Sequence, residues 1–571
     1  MNARRFLLFQ LTALGLPTAL QAAPSLVKLV DFNNSNIVSP SPARVNDSPI
    51  LIGNKLWFAC EQGGAYGFGS LSSYDISSGT LAVELSLDND TGLTPKASPV
   101  RDGNLLYLTT IGNNRDGSSI YSTLFSHNIA TGITDYKLWE ASGSSGTHIR
   151  APWGGVAIID RGSAGKDLYF NNYSGGISSS SGAILRYETA TGTTHLVYSM
   201  PASPGTGPRQ PYKGLTVVGT DLYFTTFSGG SGPAGGTLCK LDASTRGAET
   251  VEVLASMPET HAQLPSHNPY YRALDHSLYF TTVGSNTQPG ALMKFDLNTK
   301  KLSVIHRIAG ATNIGGTNYY LEGNKCYGPV VEWDKALYYT TIAGGAYAAN
   351  TTIGGTINRY DLRTAQHETL FSLDANTTVN PAIPTDNSGG EIRGGGTFNG
   401  STTSPAFYYI TKTGGNFGFT ATTGYGTILK LNLDPAGPPS TYETWSADYP
   451  SLSPSQIAPT ADPDRDGRNN LSEFCFGTSP TSGADGNGYS AIHTSAGLEL
   501  RWTARADESI EYVTETSINL STWSPLALAS EVMISDVTLP AGYERRRVII
   551  PTTDSNQFFR IEATLLPQAQ P

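Results

Sequence analysis

Hydrophobic positions between residues 48 and 446 fall in short runs separated by Gly-rich turns, not in the wide stripes of amphipathic helices. One apolar-aromatic run recurs: Leu56-Trp-Phe-Ala-Cys60, Leu106-Tyr-Leu-Thr-Thr110, Leu168-Tyr-Phe-Asn-Asn172 and Leu222-Tyr-Phe-Thr-Thr226. It returns as Leu278-Tyr-Phe-Thr-Thr282, Leu337-Tyr-Tyr-Thr-Thr341 and Phe407-Tyr-Tyr-Ile-Thr411. After most copies comes a Gly-rich loop and a second run, clearest as Gly182-Ala-Ile-Leu-Arg-Tyr-Glu188, Gly236-Thr-Leu-Cys-Lys-Leu-Asp242, Gly290-Ala-Leu-Met-Lys-Phe-Asp296 and Gly355-Thr-Ile-Asn-Arg-Tyr-Asp361. A turn then leads to a third strand such as His195-Leu-Val-Tyr-Ser199, and the next unit usually opens through a Pro-containing segment.

A unit of about four short strands cannot cover both of its own faces, whereas stacking units around an axis covers them and leaves only short edges. Seven copies therefore predict an all-β fold, a β-propeller of about seven blades over residues 23–447. The strand Leu26-Val-Lys-Leu-Val30 is similar to the last strand of a unit and is expected to close the ring. An open solenoid is the competing arrangement.

Composition agrees with many tight turns: 62 Gly, 34 Pro and 29 Tyr, with only 15% charged residues. A formal charge of −10 argues against a nucleic-acid partner, which would call for a basic stripe. Arg4 and Arg5, the apolar run Phe6 to Leu16, and Leu20-Gln21-Ala22 before Ala23 read as a signal peptide over 1–22. Its loss takes away two Arg and no acid, moving the balance from −10 to −12. No later apolar run is long enough for a transmembrane anchor, so the expected location is extracellular, cell-surface or periplasmic. In that setting Cys60, Cys239, Cys326 and Cys475 allow three pairings, although Cys239 sits in an apolar strand where a buried thiol is the simpler reading.

The sharpest chemical motif is Asp462-Pro-Asp-Arg-Asp-Gly-Arg-Asn-Asn-Leu-Ser-Glu473. A twelve-residue Ca²⁺ loop needs oxygens at positions 1, 3, 5, 7, 9 and 12 and a Gly at 6. Asp462, Asp464, Asp466, the Arg468 carbonyl, Asn470 and Glu473 supply them, with Gly467 at the turn. The expectation is a structural Ca²⁺ loop within a linker over 448–487. Beyond it, Leu498-Glu-Leu-Arg-Trp502, Tyr512-Val-Thr-Glu515, Arg547-Val-Ile-Ile550 and Phe558-Phe-Arg-Ile561 predict a small β-sandwich-like domain over 488–571. Trp523 falls in a turn of that module, where packing is the plainer role and a sugar contact the alternative.

Aligning the units on the Pro of the lead-in segment places Asp47, Ala97, Arg150, Arg209, His267 and Tyr327 at one position, with Arg393 near it in the last unit. Were that segment the innermost strand, these side chains would ring one mouth of a central channel. Arg150, Arg209, His267, Tyr327 and Arg393 are thus the candidate ligand-binding residues, suited to an anionic sugar or other carboxylate. The plainer role for the Arg and His is bonding to neighbouring loop carbonyls.

The repeats resemble the GloVer tandem repeats of secreted bacterial proteins, whose units carry a Leu-Tyr-Gly-Thr-Thr-like strand, a Gly-Gly loop and a Gly-Thr-Val-Phe-Lys-Leu-like strand. Here Phe224, between Tyr223 and Thr225, stands where that family often has Gly. The loop at 462–473 and the following Phe474-Cys-Phe-Gly-Thr-Ser-Pro480 resemble thrombospondin type 3 or dockerin-like loops; a true dockerin duplicates its loop, and one copy is present. The resemblance implies a secreted propeller and brings no catalytic constellation. No nucleophile elbow, phosphate loop or HExxH motif occurs. The expected function is a non-catalytic binding or scaffold propeller, with a polysaccharide or extracellular protein as partner. A lyase or hydrolase acting on an anionic polysaccharide is the alternative; a quinone-dependent dehydrogenase is a third reading whose own repeats are missing.

Overall fold

The computed structural model describes residues 24–32, 41–88, 92–112, 122–139, 151–177, 181–202, 207–231, 235–259, 262–285, 288–346, 354–373, 389–401, 404–414 and 425–433 of a first unit, and most of 442–565 of a second. The first unit comprises Ala23–Tyr360 and His367–Leu433, the short turn Asp361–Gln366 being grouped apart from it, and Asp434–Pro571 forms the body of the second. The leader read at 1–22 lies outside the described residues.

The seven recurrent runs each form a strand of a separate antiparallel sheet. The fourth blade shows the plan. Two short lead-in strands, Pro208–Pro211 and Thr216–Val218, pair with one side of Asp221–Gly229; its other side pairs with Thr237–Asp242, which pairs in turn with the outer strand Thr250–Ser256. Burial is greatest in the first-motif strand and falls toward the outer strand. The first-motif strands Ser277–Thr282 and Ala336–Ala343 are buried throughout, whereas Thr250–Ser256 is half exposed. This is why the Leu-Tyr-Phe run lacks the apolar-polar alternation of a half-solvated strand. Leu222 and Phe224 pack toward the third blade with Tyr169, and Tyr223 packs toward the fifth with Leu278 and Phe280. Each fully buried side chain of this size contributes about 1.5–3 kcal/mol, so the repeat's stability resides in faces shared between blades.

The ring closes as the terminal strand predicts. Ser25–Asp31 is the outer strand of the seventh blade, antiparallel to Thr427–Asn432. Phe32 then stacks on Phe58 of the first blade at 5.6 Å, within a cluster that also holds Tyr408 and Ile428. A hairpin of Thr312–Ile314 and Thr317–Tyr319 is inserted before the sixth blade.

The two residues ending the repeat have separate jobs. The first bonds across the joint to the next blade's lead-in backbone: Thr109 to Gly154 O (3.1 Å), Thr225 to His267 O (2.7 Å), Thr281 to Gly328 O (2.9 Å) and Thr340 to Gly394 O (3.1 Å). Asn171 makes the same bond to the Lys213 carbonyl. The second bonds within its own blade, as in Thr226 to Thr237 (2.6 Å), Thr341 to Thr356 (2.9 Å) and Thr411 to Thr427 (2.9 Å). The four cysteines are all buried thiols, and burial pushes those of Cys60 and Cys239 up to about 12.

In the second unit, Tyr489–Thr494, Gly497–Arg505, Tyr543–Ile550 and Glu531–Met533 form one sheet. Ser524–Pro525, Ile510–Ser517 and Phe558–Leu565 form another. Leu500 and Trp502 from the first sheet meet Ile510, Tyr512 and Phe559 from the second in one core, the arrangement of a small sandwich. The helices Tyr442–Ala447 and Asn470–Phe476 contribute Tyr442, Trp445, Phe474 and Phe476 to the same core. Residues 448–487, expected as a linker, thus include a segment packed into this unit. Arg560 covers the Trp523 ring at 4.5 Å, in keeping with a packing role for that Trp.

Thr225→Val removes the blade-crossing donor at constant shape and leaves the His267 carbonyl without it. The expected loss is about 1–2 kcal/mol, read as a lower midpoint of denaturant unfolding with the slope unchanged. An unaltered midpoint would show that the joint does not depend on this bond.

Candidate functional site

A backbone marker sets the register of the lead-in segments. At the start of each lead-in segment one non-glycine residue has positive φ: Arg44 (59°), Thr94 (57°), Ala151 (48°), Gln210 (56°), Leu264 (58°), Lys325 (62°) and Glu391 (55°). Three residues further on stand Asp47, Ala97, Gly154, Lys213, His267, Gly328 and Gly394, five of which accept the blade-crossing bonds described above. Two residues on from the marker stand Asn46, Lys96, Trp153, Tyr212, Ser266, Tyr327 and Arg393.

This register differs from the Pro-based alignment. Arg209 pairs with Ser228 on Pro208–Pro211, the place that Ala43 holds opposite Gln62 in the first blade. It lies four residues upstream of the true equivalent, Lys213. Arg150 lies outside the described residues. His267 holds the expected position, while Tyr327 and Arg393 are one position earlier in their segments. Lys213 was within reach of the sequence: Asp47, Ala97 and Lys213 each precede the Leu of their first-motif strand by nine residues. Pro211 misled the alignment because it lies inside a lead-in strand, whereas Pro49, Pro99 and Pro269 follow the ring position.

Lys213 of the fourth blade reaches Asp47 Oδ2 of the first at 3.1 Å, and also donates to the carbonyls of Asn46 (3.1 Å) and Lys96 (2.6 Å). His267 Nε2 of the fifth blade lies 3.1 Å from Asp47 Oδ1. Blades one and four stand on opposite sides of a seven-membered ring, so these side chains cross its axis. The lysine is only 2% exposed. Burial by itself would raise the Asp47 carboxyl, but the Lys213 and His267 charges prevail and hold it well below the usual carboxylate range.

A second network joins the blades where the threonine bond is missing. The equivalents of Thr225 in the first and seventh blades are Ala59 and Ile410, neither of which can donate. Glu61, two residues after Ala59 on the strand Lys55–Gly63, pairs with Lys96 across the joint to the second blade and with Lys412 (3.2 Å) across the joint from the seventh. Burial opposes the Glu61 charge, yet Lys412 and Lys96 keep its carboxyl below the ordinary value. Burial and the neighbouring Arg393 charge pull Lys412 down to about 8.

Beside this network opens a cleft of 600 Å³ lined by Gln263, Leu264, Val283, Gly284, Ser285, Lys325, Tyr327, Ile342 and Arg393. Its lining carries two cations and neither a carboxylate nor an imidazole. The Arg393 guanidinium lies over the Tyr327 ring at 5.2 Å and 3.4 Å from Glu391, and its buried Nε has no hydrogen-bond partner. From Tyr327 a row of aromatics runs back through Tyr212 (6.0 Å) to Phe227 (5.2 Å) and Trp153 (4.8 Å), and Trp153 stacks on Tyr173 (5.0 Å). Burial, reinforced by Tyr327, pushes the Tyr212 phenol far above its ordinary value, so it stays neutral.

In the second unit, carboxylate oxygens of Asp462, Asp464 and Asp466 lie within 4.8 Å of one another. Gly467 N donates to Asp462 (3.0 Å), Asp466 N to Asp464 (3.2 Å) and Arg468 N to Asp466 (2.8 Å), which folds the loop around the three side chains. Asp462 Oδ1, Asp464 Oδ2 and Asn470 Oδ1 are buried without hydrogen-bond partners, and Glu473 is fully buried in the first turn of the following helix. Burial and the adjacent Asp466 and Asp462 charges raise the Asp464 carboxyl. Crowded, unpartnered hard oxygens of this kind fit a bound cation.

The first unit is thus a seven-bladed propeller with a charge-plugged axis and an aromatic, cationic cleft. No protein-family model and no curated protein matches the chain. Among solved structures, it is similar to an oligogalacturonate lyase in complex with manganese, at 10% identity over 72% of this chain and 98% of that one, TM-score 0.39. It is also similar to the GH74 xyloglucanase of Xanthomonas campestris, at 12% identity over 73% and 55% of the two chains, TM-score 0.44. Similarity to TolB of Acinetobacter baumannii runs at 11% identity over 66% and 78%, TM-score 0.29. Among the described residues no helix is long and apolar enough to cross a membrane.

Asp47→Asn leaves the Lys213 ammonium buried without its counter-charge, and the expected cost at neutral pH is about 3–5 kcal/mol by chemical denaturation. Adding Lys213→Met should recover most of that loss. Because the folded Asp47 carboxyl lies below the unfolded value of about 3.9, its contribution is complete above that pH and lost as the pH falls toward the folded value, so the gap between wild type and Asp47→Asn narrows in acid. A gap below about 1 kcal/mol at neutral pH, the range of exposed pairs, would mean that this pair does not hold the axis.

Proposed function

We propose that the chain is an exported binding propeller that recognises a carboxylated polysaccharide at the mouth of its channel and does not cleave it. The observation that carries this reading is the cleft in which Arg393 and Lys325 meet the aromatic row ending at Tyr327. A guanidinium recognises a carboxylate through two parallel N–H bonds, and the Tyr327 ring beside it suits an apolar contact with a sugar. Hydrolysis of a glycoside ordinarily uses two carboxyl groups flanking the bond. Among the described residues the cleft lining offers none, and the nearby acids are engaged, Asp47 and Glu61 by lysines and Glu391 by Arg393.

The loop at 462–473 is read as a structural Ca²⁺ site. Asp462, Asp464, Asp466, Asn470, Glu473 and the Arg468 carbonyl would hold the ion, which would neutralise the crowded carboxylates and order the loop against the helix that follows. Oxygen-only donors at this spacing favour Ca²⁺ over a softer metal. Export is supported by the leader-like residues 1–22 and the low charge content.

Calorimetric titration with a uronic-acid oligosaccharide and with a neutral oligosaccharide of equal length tests the proposal. The acidic ligand is expected to bind, and Arg393→Ala to weaken it about 10–100-fold, equivalent to about 1.4–2.8 kcal/mol. Equal affinity for the neutral sugar would overturn carboxylate recognition. Release of unsaturated product in the same samples would instead make the cleft a lyase site, with Tyr327 within reach of the proton and Arg393 on the acid. For the metal, chelation is expected to lower the thermal midpoint of the second unit in wild type and to leave it unchanged in Asp464→Ala. A midpoint insensitive to Ca²⁺ in wild type would remove the ion from this loop.

A further inference from the structure

Away from the axis, two histidines and a glutamate converge at the seam between the fifth and sixth blades. His306 lies on the outer strand Lys301–Arg307 of the fifth blade, and His367 on the outer strand Gln366–Ser372 of the sixth. Glu322 lies on the connection between them, just after the inserted hairpin. We propose that these three side chains form a binding site for a divalent transition ion of the zinc class.

The geometry supports this in two ways. Ligand atoms of all three residues lie within 4.8 Å of one another, with His306 Nε2 3.0 Å from Glu322 Oε2 and His367 Nδ1 3.5 Å from Glu322 Oε1. Donors bound to Zn²⁺ at about 2.0–2.2 Å in a tetrahedron stand about 3.3–3.6 Å apart, close to both of these distances. Glu322 is also held in advance. Its carboxylate accepts from Ala309 N (2.8 Å), and its backbone carbonyl accepts from Thr356 Oγ1 (2.9 Å) and Asn358 Nδ2 (3.3 Å) of the sixth blade. The two imidazoles stack face to face at 4.1 Å and 12°, so one ring has to turn out of the stack for both nitrogens to point at a common ion.

Two nitrogens and a carboxylate suit a borderline ion such as Zn²⁺ and not Ca²⁺. The side chains of His306, Glu322 and His367 retain 19%, 26% and 8% exposure, which leaves room for water as a fourth ligand. Bound there, the ion would tie together two outer strands and the connection between the two blades.

The full chain, with Ca²⁺ added first to fill the acidic loop, is titrated with Co²⁺ and then with Zn²⁺. The expected result is a visible d–d spectrum at one equivalent of Co²⁺, discharged by Zn²⁺, with a thermal midpoint raised by Zn²⁺. Changes outside a coordination shell cost about 10–100-fold in affinity, so His306→Gln, His367→Gln and Glu322→Gln, which remove ligands, should each weaken Zn²⁺ by at least about 100-fold. Wild type without the Co²⁺ spectrum, or His306→Gln and His367→Gln that keep it, would overturn the proposal. Were the variants to misfold, hyperfine-shifted imidazole protons in Co²⁺-loaded wild type decide the matter: two histidines are expected, and none would refute it.

Discussion

Strands that are apolar on both faces must be covered on both faces, and the propeller follows from that requirement. Leu222 and Phe224 look one way along the ring while Tyr223 looks the other, so every blade completes the core of two neighbours. A linear stack would leave one such face bare at each end. Ser25–Asp31 removes the ends by joining the last blade just before the chain enters the first, and Phe32 stacks on Phe58 across that joint. The apolar faces set the stacking, and the terminal strand makes it a closed ring.

Closure brings the lead-in backbones together at the axis, where polar groups must find partners because solvent is largely excluded. Threonines or Asn171 do this at five joints. At the two joints flanking the closure, Ala59 and Ile410 cannot, and Glu61 with Lys96 and Lys412 spans them instead. Charge thus concentrates where the repeat is least regular. Lys412 of this network lies close enough to feel the charge of Arg393, one of the two cations that line the cleft.

The two polar sites outside the axis illustrate different relations between sequence and chemistry. The loop at 462–473 is local: six ligand positions and a turn residue lie within twelve residues, and their convergence needs only the loop to fold. The site of His306, Glu322 and His367 is assembled from two blades and a connection, with its two histidines 61 positions apart. No spacing rule marks it.

Much of the architecture was determined by the sequence alone, because it is written in local periodicity. The seven Leu-Tyr-Phe-like strands, the Gly-led second strands, the closing strand at 26–30 and the strands of the last module depend on short-range patterns of burial and turn formation, and each recurs in the structure. The convergence of Asp462, Asp464 and Asp466 was legible for the same reason. What lines the axis was decided by tertiary structure. Lys213 and Arg209 lie four residues apart in one segment, and only the pairing of Pro208–Pro211 with Ser228 and Gly229 determines which one stands beside Asp47. Likewise, Arg393 beside Tyr327, Glu61 between two lysines, and two histidines on one glutamate are meetings between blades. Local hydrophobic patterning specifies which residues form strands, whereas long-range register specifies which side chains share a space.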